Sequence, residues 1–328
     1  MIVRAEGKNS VEMRGVYAKT LMDLARADSR VVTLDCDLAA PIGIIGMAKE
    51  FPGRMIDCGI MEANMAGVAA GMSARGCIPF THTFACFQSR KCLDQIFLSA
   101  GFAELNVKFV GSDPGILALY NGASHMGLED MGILRNVPNL TLLEPSDSVM
   151  LESLLRQVKD IYGLHYIRMN RKNATTIYDP GTDFTIGKGL ELRDGKDVTI
   201  FASGIMVEQA LHAAEILAAQ KIDARVIDLF TWHPIDRDLI IRSAKETGAV
   251  VTSENHRTAT GLGAAVANVL LENCPVPMER VGIGDVYGEV GELACLMERF
   301  QLRAEDIAAK AERAVARKKE QFTFFSQF

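Results

Sequence analysis

The feature that most constrains this chain is an alternation, nearly end to end, of short β-branched runs with longer stretches whose apolar residues recur at helical spacing. Strands joined by crossover helices form parallel sheets, so the pattern specifies an α/β protein. Met13, Val16, Tyr17, Leu21 and Leu24 share one helical face and lead into a strand over 31–35. A strand over 55–58, a Gly/Ala-rich helix over 61–74, a strand over 78–82, a helix over 86–100 and a strand over 107–111 follow. From 112 to 127 the chain reads SDPGILALYNGASHMG, a loop of a length that is more often functional than not. Strands over 140–143 and 164–168 complete this half. Between 170 and 197 the periodicity weakens around Gly181, Gly187, Gly189 and Gly195, which reads as a linker or surface meander. The boundary is therefore placed near 185, giving domains over 1–185 and 186–328. The second, smaller α/β domain carries strands over 198–202, 224–229 and 249–253, with helices over 207–219, 236–247 and 261–272. A charged helix over 304–320 ends in a tail holding Phe322, Phe324, Phe325 and Phe328, which is expected to dock on another surface.

Composition narrows the function. At 328 residues the chain has room for about two domains, and 48% hydrophobic residues suffice to offset chain entropy. The net charge of -6 arises from 41 acidic and 35 basic residues spread along the chain, which argues against a nucleic-acid partner. Seven cysteines form no Cys-x-x-Cys pair and sit mainly in apolar segments, as suits a reducing cytosol. Residues 1–10 carry Arg4, Glu6 and Lys8 and have no apolar core for a signal peptide. With no apolar run approaching about 18 residues, a cytoplasmic protein without a membrane partner is expected.

Glu62 opens the helix reading IMEANMAGVAAGM, among small and apolar residues. Poor hydration raises a carboxyl pKa toward neutrality, which suits acid–base work, whereas an acidic residue at a helix N-terminus is equally a plain dipole contact. In FTHTFACF, Phe84 and Phe87 stand three apart at the end of a strand, where open α/β sheets bind ligands. They can sandwich a flat heteroaromatic ring or simply belong to the core. His125 in NGASHMG is free to approach a ligand or to face solvent. Arg168 in YIRMNRKN, with Arg171 and Lys172 nearby, can clamp a phosphate or form a solvated basic cluster. There is no GxGxxG after a strand, no GxxxxGK[ST], no GxSxG and no metal-ligand spacing, so this chain is expected to hold no metal.

In order, GIMEANMAGVAAGMSARGCIPFTHTFACF, GASHMGLEDMGILRNVPNLTLLEPSDS, YIRMNR and SENHRTATGLGAAVANVL resemble the C-terminal part of transketolases across nearly the whole chain. The resemblance implies a pyrimidine-binding domain followed by a transketolase C-terminal domain, and a thiamine-diphosphate-dependent transfer of a two-carbon ketol unit between sugars. In that family the cofactor's aminopyrimidine must shift to its imino form, which needs a carboxyl at the ring nitrogen; Glu62 matches it. Phe84 and Phe87 match the ring-stacking positions, and Asp37 an aspartate near the thiazolium. His125 matches a loop histidine at the reacting hydroxyl or carbonyl. Arg168 matches a phosphate-gripping arginine and Arg14 a second one, with Asn121 and His82 also on the substrate side.

Family enzymes bind the diphosphate and its Mg2+ through a GDG motif that is missing here. The resemblance therefore implies an N-terminal partner subunit holding the metal, in a heterotetramer active only when both chains are present. Asn121 stands where an aspartate reading a substrate hydroxyl is usual, Pro41 where a serine contacts phosphate, and Arg90 where an aromatic edges the cofactor; an upstream loop histidine is replaced around Ser112. A phosphorylated or otherwise anionic sugar is expected. The alternatives are a beta subunit of a 2-oxo acid dehydrogenase or decarboxylase, or a non-catalytic assembly subunit. Glu254 and His256 in the second domain read as a possible subunit contact.

Overall fold

A computed structural model describes residues 12–325. Twelve strands form two sheets: β1 Val31–Asp35, β2 Met55–Asp57, β3 Ile78–Phe84, β4 Lys108–Ser112, β5 Thr141–Leu143, β6 His165–Met169, β7 Leu190–Arg193, β8 Val198–Ala202, β9 Ala224–Asp228, β10 Thr231–His233, β11 Val250–Arg257 and β12 Met278–Ile283. The first sheet runs β10-β5-β6-β4-β3-β1-β2 and the second β12-β11-β8-β9-β7. All pairings are parallel except β10 with β5 and β7 with β9. Every residue of β1, β3, β4, β6, β8 and β9 is buried, as expected of strands covered by helices on both faces.

The helical periodicity of the first helix, Met13–Ala27, puts Met13, Tyr17, Leu21 and Leu24 in the core. Elsewhere the structure departs from the expected outline. The single helix over 86–100 is two pieces, an α-helix Ala85–Arg90 and a π-helix Gln95–Phe102. The long loop coils into 3-10 turns over Gly115–Ser124, with Leu119 at φ 31° and Gly122 at φ 66°. The stretch over 170–197 is packed: Tyr178 and Phe184 are buried with ring centroids 4.9 Å apart, and Phe184 meets Phe230 at 6.2 Å. β10, late in the chain, leaves the second sheet to edge the first. The helix Ala304–Phe325 is longer than expected. The side chains of the Phe-rich tail, and the N-terminal segment before Glu12, lie outside the described residues. Among the described residues no helix is long and apolar enough to cross a membrane.

Candidate active site

Parallel pairing of β1, β3, β4 and β6 brings the residues after their C-terminal ends to one edge of the first sheet. β3 ends at Phe84, the cap residue of the Ala85–Arg90 helix, whose first turn carries Phe87. Their centroids lie 6.0 Å apart at 87°, and the His125 ring packs edge-on against both, at 5.4 and 5.1 Å. His125 Nδ1 is 2.8 Å from Ser124 Oγ. Two glycines seat this helix: a Cβ on Gly111 would lie 2.9 Å from Ala85 Cα, and one on Gly127 2.9 Å from Cys86 N. Arg90 braces the loop from the other side, pairing with Glu129 and donating to Met126 O at 2.7 Å.

Glu62 begins the helix Glu62–Ala74 and is 4% exposed. Lys91, just past the Ala85–Arg90 helix, places Nζ 3.0 Å from both carboxylate oxygens and 4.2 Å from the Phe87 centroid. One contiguous site thus holds a buried carboxylate, two phenylalanines and a histidine. That combination fits a planar cationic or donor-bearing heterocycle: ring faces to stack on, and a carboxylate to accept its hydrogen bond. Among the described residues no group of three or more His, Cys, Asp or Glu is placed to hold a metal ion.

The residues on the polar side of the edge differ in exposure. His82 is 1% exposed, and both ring nitrogens are engaged, Nδ1 with Asp35 Oδ2 at 2.7 Å and Nε2 with Ser112 Oγ at 3.1 Å. It braces three neighbouring strands. Asp37 is exposed at φ 60° in the turn after β1, its N–H donating to Asp57 Oδ1 at 3.0 Å. Asn121 is exposed on the coiled loop. Arg14 pairs with Glu12 and donates to Pro41 O at 3.0 Å.

Arg168 requires a correction. It is fully buried, and its guanidinium is consumed inside the chain: Nε to Asp130 at 3.0 Å, Nη1 to Glu144, Nη2 to Asn255 O at 2.8 Å and to Gly127 O at 3.3 Å. The two carboxylates hold it charged against the cost of burial. Enclosed by these four partners, the guanidinium is shut off from the sheet edge. The residue that reaches the edge is Arg171, beyond the strand end. Its Nη2 lies 2.6 Å from Asp113 Oδ2, its Cζ 5.5 Å from the Phe84 centroid, and its Nε is buried without a partner. Its backbone carbonyl accepts from Arg14 N at 3.2 Å, so the two arginines are neighbours. Burial pushes the Asp113 carboxyl up from its ordinary range, with Arg171 opposing.

Glu254 and His256 are also fully buried, so neither forms an outer subunit contact. The Glu254 carboxyl caps the helix Leu262–Asn273 through the N–H groups of Leu262 and Gly263. His256 is neutral, its pKa lowered to about 4 by burial; Nε2 accepts from Gly132 N and Nδ1 donates to Arg257 O.

Comparison with known proteins gives the chain's relations. Residues 9–176 match the transketolase pyrimidine-binding domain and 187–307 the transketolase C-terminal domain. The 6-deoxy-6-sulfo-D-fructose transketolase subunit SqwH of Clostridium sp. (strain MSTE9) is 49% identical over 306 residues, covering 93% of this chain and 95% of that one. An apulose-4-phosphate transketolase subunit of Phocaeicola vulgatus is 33% identical, over 87% of this chain and 92% of its own. Among solved structures, a split-gene transketolase described as an inactive beta4 tetramer superposes with TM-score 0.87 at 39% identity, covering 94% of this chain and all of that one.

Proposed function

We propose a substrate class and a division of labour from one premise: this chain belongs to the transketolase family, as the subunit of a two-chain enzyme that carries the pyrimidine-binding and C-terminal domains. The observation that carries the reading is the buried Glu62 carboxylate beside the Phe84, Phe87 and His125 rings. Thiamine diphosphate, when bound, supplies the thiazolium carbon that takes up and passes on a two-carbon ketol unit. Glu62 accepts the hydrogen bond of the aminopyrimidine ring nitrogen and holds that proton in place, in surroundings where water competes little. Phe84 and Phe87 frame the ring. His125, on the coiled loop against both, faces the reacting hydroxyl or carbonyl as a proton donor or acceptor. Asp37 stands at the same sheet edge, on the thiazolium side, and Asn121 reads a substrate hydroxyl from the loop. The diphosphate and its Mg2+ are assigned to the partner subunit, since this chain lacks the GDG motif.

The substrate is a sugar with an anionic terminus. Arg171, with Arg14 beside it, supplies the guanidinium that Arg168 does not, and Asp113 holds it in place. Two subunits related to this one are named for such sugars, one bearing a sulfo group and the other a phosphate. His82 acts through its neighbours, fixing the ends of β1, β3 and β4.

Titration of thiamine diphosphate and Mg2+ into this chain, alone and mixed with a GDG-bearing partner, tests the division of labour. Binding only in the mixture is expected, and tight binding to this chain alone overturns the assignment of the metal. In the mixture, Glu62→Gln is expected to leave folding and assembly intact while nearly abolishing exchange of the cofactor C2 proton, followed by NMR in deuterated water. Normal exchange in that variant would sink the role given to Glu62.

A further inference from the structure

The Lys91–Glu62 pair is unequal. Glu62 is 4% exposed, whereas the Lys91 side chain is 45% exposed and hangs on a flexible stem. Its ammonium addresses both carboxylate oxygens at 3.0 Å, and at 4.2 Å it also lies over the Phe87 ring. A heterocycle that donates to Glu62 while stacking on Phe87 needs the same two places. The two cannot be satisfied together at 3.0 Å from the carboxylate.

From this juxtaposition of a half-exposed ammonium, a buried carboxylate and a ring face, we propose that Lys91 is an internal competitor for Glu62. It serves as a counter-ion that holds the carboxylate aligned, and it swings into solvent when the aminopyrimidine docks. The inference rests on the reading of Glu62 given above. Its physical basis is the asymmetry of the pair: Lys91 recovers full hydration on leaving, but Glu62 is stranded unless the ring's donor replaces the ammonium. Docking is therefore an exchange of one cation-like donor for another on a single carboxylate, and Lys91 is a positioning residue that weakens cofactor affinity in return for a prepared site.

The test uses the assembled two-chain enzyme, with thiamine diphosphate and Mg2+ as the probe. Lys91→Met keeps the stem and removes the charge. It is expected to bind the cofactor about tenfold tighter with faster association, because Glu62 no longer has to be vacated. In a Glu62→Gln background the same change is expected to do little, since the charge pair is already gone. A second readout does not depend on the variant's stability. Reductive methylation with 13C-formaldehyde keeps the lysine charge, and the Lys91 methyl signal, identified by its loss in Lys91→Arg, is expected to move to the position of a solvated lysine on adding cofactor. Unchanged or weaker binding by Lys91→Met, or a methyl signal that does not move, overturns the proposal. Failure of the Glu62 reading is separate: it shows as normal C2 exchange in Glu62→Gln, whatever Lys91 does.

Discussion

Arg168 and Arg171 stand three positions apart, and the sheet gives them opposite fates. Arg168 lies within β6, where both faces are covered, so its side chain runs between elements and is paired with Asp130 and Glu144. Arg171 lies beyond the strand end, at the edge where a ligand approaches. Replacing Arg168 by Ala strands two buried carboxylates and is expected to cost about 3–5 kcal/mol in urea unfolding. Arg171→Ala strands only the Asp113 carboxylate and is expected to cost less in unfolding than Arg168→Ala, while raising KM for an anionic sugar at least tenfold over that for its neutral analogue. Equal losses on both sugars would make Arg171 structural too. The sequence marks Arg168 with Arg171 nearby, but which of the two is buried depends on strand register within YIRMNR, set by partners far along the chain. Glu62, Phe84, Phe87 and His125 are legible through resemblance, whereas nothing in the sequence marks Lys91. Its meaning depends on a contact between residues 29 apart.

At the scale of elements, the Ala85–Arg90 helix is a short lever held by close contact. Gly111 and Gly127 let β4 and the end of the coiled loop press on its first turn. Gly127→Ala would drive a Cβ to 2.9 Å from Cys86 N and 3.2 Å from Ala85 C, both backbone atoms, so the helix itself must yield. The expected cost is about 1–3 kcal/mol in chemical denaturation, with weaker cofactor binding in the assembled enzyme because Phe84 and Phe87 move with the helix. Unaltered affinity would show that the ring frame tolerates displacement. The pattern of apolar residues suffices for most strands and helices, since buried parallel strands read as unbroken apolar runs. It fails where helical geometry changes inside one apolar stretch, at the π-helix Gln95–Phe102. It fails again at β10, which follows closely on β9 in the chain but pairs with β5 of the other sheet.

Across the whole molecule, the two sheets are joined by buried polar groups. Asp228, at the end of β9, accepts from Ser146 Oγ at 2.6 Å and from Tyr178 OH at 2.7 Å, tying both halves and the segment between them. Burial raises its pKa to about 7, and that of Glu254 to about 8. A carboxyl raised in the folded state holds its proton longer there than in the unfolded chain. Stability is thus fullest below about pH 4, declines as pH rises toward 7 for Asp228 and toward 8 for Glu254, and is flat above, as far as these two groups are concerned. Melting temperature is expected to fall between about pH 5 and 8, and Asp228→Asn to reduce that fall; an unaltered slope would mean that Asp228 is ionised throughout.

The antiparallel pairing of β10 with β5 also bears on how this protein can be dissected. A fragment ending near residue 185 would keep six strands of the first sheet but lose the one that closes its border, and Thr141–Leu143 would present unpaired N–H and C=O groups to solvent. Such a fragment is expected to self-associate through that border, whereas the intact chain supplies its own closure from a residue stretch that belongs, by order along the chain, to its neighbour.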